Sequence, residues 1–141
     1  MVGLSVPGWL LIVSLATNAG AVYPNLVAAQ WALESGFGHQ QAGINNPFGM
    51  KGYGSVKKTK EWNGSEYVYV YDEFKDYDSL DEAVKDVVNK WHKDYKGYKG
   101  VNNAKSREDA AWELYRQGYA TDPTYAEKLI RLMDRYSERT E

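Results

Sequence analysis

With 141 residues, 43% of them hydrophobic and 26% charged, and a net charge of −2, the chain fits one ordinary globular domain. It has no basic excess for holding a nucleic-acid backbone, so no nucleic-acid partner is expected. Cysteine is absent, and His39 and His92 lie far apart, which excludes disulfides, thiolate chemistry and a helical metal pair. No cofactor or metal is expected, and any hydrolysis must rest on carboxylates.

In chain order, no charged side chain occurs from Val2 to Leu33. The stretch Trp9 to Val22 is apolar, but it lacks a basic leader and is interrupted by Ser14, Thr17, Asn18 and Gly20. It is also short of the roughly 20 residues that a membrane span needs. A buried core helix over roughly residues 8–19, opened by Pro7 and ended by Gly20, is favoured over a targeting segment within residues 1–22. Pro24 starts a second helix that runs to about Ser35 and is apolar on every face, the pattern of a buried helix. Residues 37–55 are rich in Gly, Asn and Pro and predict a structured loop.

Two strand-like runs flank Asn63-Gly64, a strong hairpin signal. A two-residue turn there sets Trp62 opposite Ser65 and Glu61 opposite Glu66. The alternation in Glu66–Tyr71 puts three tyrosines on one face. Ser79 with Glu82 predicts a capped amphipathic helix, with Trp91 on its apolar stripe. Ser106 with Asp109 caps another, which Gly118 ends, and Asp122-Pro123 is an N-cap and N1 pair for the last helix. The fold class expected is α+β, a mostly helical body with one small hairpin lobe, in a single domain over 1–141.

Glu34 is the most informative residue. It lies in the last turn of a helix with no other charge, on the same side as Val27 and Trp31. Partial burial and the negative end of the helix dipole both disfavour its carboxylate. A carboxyl held protonated near neutral pH suits protonation of a departing sugar oxygen. A second carboxylate has to come from elsewhere, and Glu61 and Glu66 on the hairpin are the candidates. Asn45-Asn46-Pro47-Phe48-Gly49 offers amides and a ring for amino sugars, and Tyr119 offers a phenol.

These motifs carry a resemblance. Ala29-Gln-Trp-Ala-Leu-Glu-Ser-Gly36, Asn45-Asn-Pro-Phe-Gly-Met-Lys51 and Thr59-Lys-Glu-Trp-Asn-Gly64 stand in order. Phe74-Lys-Asp-Tyr77-Asp-Ser79 and Gly118-Tyr-Ala-Thr-Asp-Pro123 with Tyr125 follow. Over residues 22–135 the chain resembles the glucosaminidase-domain family, glycoside hydrolase family 73, which includes flagellar peptidoglycan hydrolases and autolysins. The resemblance implies a lysozyme-like fold with a substrate groove and cleavage of the β-1,4 bond after N-acetylglucosamine in peptidoglycan.

It further implies Glu34 as general acid, Glu61 as second carboxylate on a mobile hairpin with Glu66 as fallback, and Tyr119 lining the cleavage point. Asn46 and Phe48 fall where that family shapes its groove, and Trp31 and Tyr77 join them as candidate substrate contacts. Phe37, His39 and Pro47 depart from the family's usual residues without removing a catalytic group. Three routes stay open: water activated by Glu61, a covalent intermediate, or attack by the substrate's own acetamido group. The alternatives are a muramidase or lytic transglycosylase on the same fold, or a non-catalytic glycan-binding module. The partner expected is the glycan strand of peptidoglycan, met by a monomer without stable membrane insertion, in the cell wall or periplasm. No wall-anchoring repeat accompanies the motifs, which points to another delivery route, such as assembly into a phage virion.

Overall fold

Two prolines set the first two helices. In the computed structural model, which describes residues 7–137, α1 runs Pro7–Asn18 and α2 runs Pro24–Ser35. Each proline sits in a first turn, where its missing N–H has no helical partner to lose. Helix α1 buries Trp9, Ile12 and Ala16, and the Trp9 indole donates to Asn25 Oδ1 at 2.9 Å, tying it to α2. The disfavoured alternative, a targeting segment within residues 1–22, falls partly on residues 1–6, which lie outside the described residues. Helix α2 is buried continuously from Asn25 to Ala32, as its all-round apolar surface predicts. Taking Leu26 and Val27 fully out of water stabilises the fold by ~1.5–3 kcal/mol each.

The chain leaves α2 sharply. Gly36 takes the left-handed conformation that ends many helices, and Phe37 repeats it with φ 59°. A bulky residue pays strain in that region. Here two edge-on ring contacts hold Phe37, to Trp31 at 5.6 Å and to Tyr136 at 5.4 Å.

Strands β1 (Gly54–Trp62) and β2 (Tyr67–Lys75) form an antiparallel ribbon, paired from Gly54 with Lys75 to Trp62 with Tyr67. The two-residue turn expected at Asn63-Gly64 is therefore not formed. Asn63 Oδ1 accepts the backbone N–H groups of Ser65 and Glu66, both at 2.9 Å, while Asn63 N–H donates to Glu66 O at 3.1 Å. That local bonding widens the connection to residues 63–66. Glu61 consequently faces Val68, not Glu66, and the like-charge pair disappears. The tyrosine face forms as expected, with Tyr67, Tyr69 and Tyr71 all exposed.

Helix α3 (Leu80–His92) is capped by Ser79, whose Oγ accepts from Glu82 N–H at 3.2 Å. Its stripe of Val84, Val87, Val88 and Trp91 is buried. Ser106 caps α4 (Arg107–Arg116) in the same way, at 3.0 Å to Asp109 N–H. Helix α5 runs Tyr125–Tyr136, two residues later than the Asp122-Pro123 pair predicts. Asp122 Oδ1 instead accepts both the N–H and the hydroxyl of Thr124, each at 2.8 Å, making a turn ahead of the helix. Leu129 and Met133 of α5 meet Leu114 of α4 and the buried face of α2 in one core. No helix among the described residues is long and apolar enough to cross a membrane.

Candidate active site

Glu34 sits where α2 gives way to the loop. Solvent reaches its side chain, yet the carboxyl is set among protein atoms contributed by several elements. Gly49 closes one flank: a Cβ there lies 3.4 Å from Glu34 Oε1, and the glycine also has φ 65°. The left-handed backbone favours glycine at this position, and a Cβ there would make only ordinary contact with the carboxyl. From α5, Tyr125 is hydrogen-bonded to the Glu34 carboxyl, and from β1 the charge of Glu61 acts on it.

These surroundings raise the Glu34 pKa from 4.5 to about 7. Burial of the carboxyl is the main cause. The Tyr125 bond pulls the other way, because a hydroxyl donor favours the carboxylate, and the negative charge of Glu61 pushes it up again. A carboxylic acid that gives up its proton near neutrality is the result.

The Tyr125 phenol is aimed from behind. Gln30 is fully buried one turn before Glu34, and its Nε2 donates to the Tyr125 oxygen at 3.1 Å. With that oxygen accepting from Gln30, the phenol proton is free for Glu34. Burial holds the Tyr125 hydroxyl well above its ordinary pKa, so it acts as a donor and not as a base.

Tyr119 is half-buried between two rings, Tyr98 at 5.2 Å and Tyr125 at 5.7 Å. Its hydroxyl donates to the Phe48 carbonyl at 2.8 Å, a bond that joins the α4–α5 loop to the 43–50 loop. Its pKa too is pushed well up by burial. Glu61 receives the Thr121 hydroxyl on Oε2 at 3.1 Å, and Lys51 Nζ lies 3.9 Å from Oε1. Lys51 is in turn paired with Asp72 of β2 at 3.0 Å. Glu66 lies exposed in the hairpin turn.

The four candidate substrate contacts are all buried. Asn46 is fully buried and spends its amide on the loop: Nδ2 donates to the carbonyls of Met50 and Lys75, both at 2.8 Å, and Oδ1 accepts Met50 N–H at 3.0 Å. Phe48 and Trp31 pack beneath the loop, and the Tyr77 hydroxyl donates to Asp86 at 2.5 Å. The structure thus brings Glu34, Glu61 and Tyr119 to one place, while Asn46, Phe48, Trp31 and Tyr77 support it from within.

Sequence reasoning overlooked Gln30, Tyr125, Lys51 and Thr121 as site residues. Gln30 had a signal, a polar residue four positions before Glu34 in an otherwise apolar helix. Tyr125 stands in the last of the motifs without a role assigned to it, and nothing local marks Lys51 or Thr121. Among the described residues no group of three or more His, Cys, Asp or Glu side chains could hold a metal ion.

A family of known proteins has this arrangement of elements. The family described as mannosyl-glycoprotein endo-beta-N-acetylglucosaminidase, the glucosaminidase family, matches residues 12–138. The peptidoglycan hydrolase FlgJ of Escherichia coli is 36% identical over 131 residues, 84% of this chain and 42% of that protein. The exo-glucosaminidase LytG of Bacillus subtilis is 32% identical over 127 residues, 82% of this chain and 44% of that protein. The chain thus spans less than half the length of these relatives. Among solved structures, a peptidoglycan hydrolase mutant from Sphingomonas sp. A1 superimposes with a TM-score of 0.75 at 28% identity, covering 89% of this chain and 88% of that one. The match over nearly all of the described residues, on a helical body with a two-stranded lobe, leads to one conclusion: the chain belongs to the glucosaminidase family of glycoside hydrolases and has its lysozyme-like α+β fold.

Proposed function

We propose that this chain hydrolyses the β-1,4 bond that follows N-acetylglucosamine in peptidoglycan glycan strands, with Glu34 as the general acid. The observation that carries the reading is the Glu34 carboxyl itself: it titrates near 7 and is still open to solvent on one side. A buried structural glutamate has no use for that opening; an acid that must meet a glycosidic oxygen does. Family membership supplies the substrate class.

In this reading Glu61 is the second carboxylate. It acts on Glu34 electrostatically from the hairpin, with the Thr121 hydroxyl donating to one of its oxygens and the Lys51 ammonium 3.9 Å from the other. Glu66 has no such relation to Glu34. Tyr119 fixes the loop that carries Gly49 beside Glu34, through its bond to Phe48. Asn46, Phe48, Trp31 and Tyr77 shape the floor without touching sugar. Peptidoglycan lies outside the cytoplasmic membrane, so the site of action is the cell wall or periplasm. Recovery of the chain from purified virions supports delivery on a phage particle; recovery only from secreted host protein refutes it.

The test compares wild type, Glu34→Gln and Glu61→Gln on purified peptidoglycan, with products reduced by borohydride and identified by mass spectrometry. Reduced N-acetylglucosamine ends are expected from wild type, none from the Glu34 variant and a residue of activity from the Glu61 variant. Muramic or anhydromuramic ends instead assign the chain to muramidase or transglycosylase chemistry. Wall binding without release by wild type assigns it to glycan binding alone. The anomer of the first product separates the routes: inversion means water activated by Glu61, and retention means either a covalent intermediate or attack by the acetamido group.

A further inference from the structure

The hairpin meets the α4–α5 loop at Thr121, and one hydroxyl makes two bonds there. Thr121 Oγ1 accepts the backbone N–H of Trp62 at 3.2 Å and donates to Glu61 Oε2 at 3.1 Å. Trp62 N–H points away from β2, as alternate donors of an edge strand do, so this bond ties the hairpin's own backbone to the helical body. A threonine hydroxyl has a single proton. Once its oxygen accepts from Trp62, that proton is left for the neighbouring carboxylate. The hairpin's position and the direction of the Glu61 side chain are therefore set by one atom.

We propose that Thr121 is a positioning residue for glycoside hydrolysis, latching the hairpin to the body and aiming Glu61 across the recess toward Glu34. The proposal rests on the reading of Glu61 as the second carboxylate. A glutamate on a two-stranded ribbon has three rotatable bonds and little packing to restrict them. Two contacts do so here: Thr121 on one oxygen and Lys51, itself held by Asp72, near the other. Lys51 is bridged to β2 and paired with Asp72, and Thr121 is the contact that the α4–α5 loop contributes. Its hydroxyl therefore couples the position of that loop directly to the carboxylate.

Thr121 is exposed, so a valine of nearly equal shape is tolerated, and Thr121→Ala is the second variant should valine perturb the fold. The loss of a bond to a charged group predicts that kcat falls about tenfold in Thr121→Val, with KM nearly unchanged. Thr121→Ser, which keeps the hydroxyl, restores most of the rate. The deciding measurement repeats Thr121→Val in a Glu61→Gln background, with folding checked by thermal melting. There the substitution adds no further loss if Thr121 acts through Glu61. The same tenfold loss in both backgrounds, a loss in KM alone, or a fully active Thr121→Val beside an impaired Glu61→Gln overturns the proposal. A Glu61→Gln variant as active as wild type overturns the underlying reading of Glu61, and the proposal falls with it.

Discussion

Replacing Glu34 with glutamine keeps nearly the same shape and removes the charge, and it is expected to stabilise the protein while abolishing hydrolysis. In the unfolded chain the Glu34 carboxyl titrates near 4.5, and in the fold near 7. Between those two values the unfolded chain has released a proton that the folded chain keeps, so raising the pH through the window favours unfolding. The penalty is absent below about 4.5 and complete above about 7. At about 1.4 kcal/mol per pH unit the interval sets a ceiling of about 3 kcal/mol. Because solvent reaches the side chain and screens part of it, ~1–2 kcal/mol remains.

Glutamine never ionises and escapes that cost. For a domain of this length the gain raises Tm by about 3–6 °C. Thermal melts of wild type and Glu34→Gln at pH 8 and again at pH 4 measure it. The variant should melt higher at pH 8 and together with wild type at pH 4. A variant that melts at or below wild type at pH 8, or one with the same advantage at both pH values, refutes the claim that burial holds this carboxyl protonated.

Three further outcomes follow from the same contacts. Tyr125→Phe removes a donor that favours the Glu34 carboxylate, so the alkaline limb of kcat/KM should move upward by ~1 pH unit; a downward move contradicts the assignment. Asn46→Ala strips three bonds from the buried loop and should lower stability by ~2–4 kcal/mol in denaturant titration, where a loss under about 1 kcal/mol shows that the amide is dispensable. Gly49→Ala puts a side chain on a left-handed backbone, so stability should drop by about 1–2 kcal/mol in denaturant titration, and an unchanged midpoint rules out that strain.

What could be read from the sequence follows the range of the interactions. Helices α1, α2 and α3 begin where Pro7, Pro24 and Ser79 predict, because caps and prolines act on residues within a turn. Two local readings failed for an equally local reason. Asn63 and Asp122 each bonded backbone two residues ahead, which widened the hairpin loop and delayed α5. The raised pKa of Glu34 was legible because a lone charge ending an apolar helix announces its own desolvation. Glu61 and Tyr119 were given their roles only through the family resemblance, and Tyr125 and Thr121 were not visible as site residues, because Tyr125 reaches Glu34 from α5 and Thr121 reaches Glu61 from the α4–α5 loop. Their side chains look ordinary until the fold sets them side by side. Gln30 marks the boundary between the two cases. It shares a helix and a face with Glu34, so the pairing could have been inferred, but its partner Tyr125 stands 95 residues away. A buried glutamine on an apolar helix needs a polar partner, and asking which distant residue supplies it is a question the sequence poses and only the fold answers.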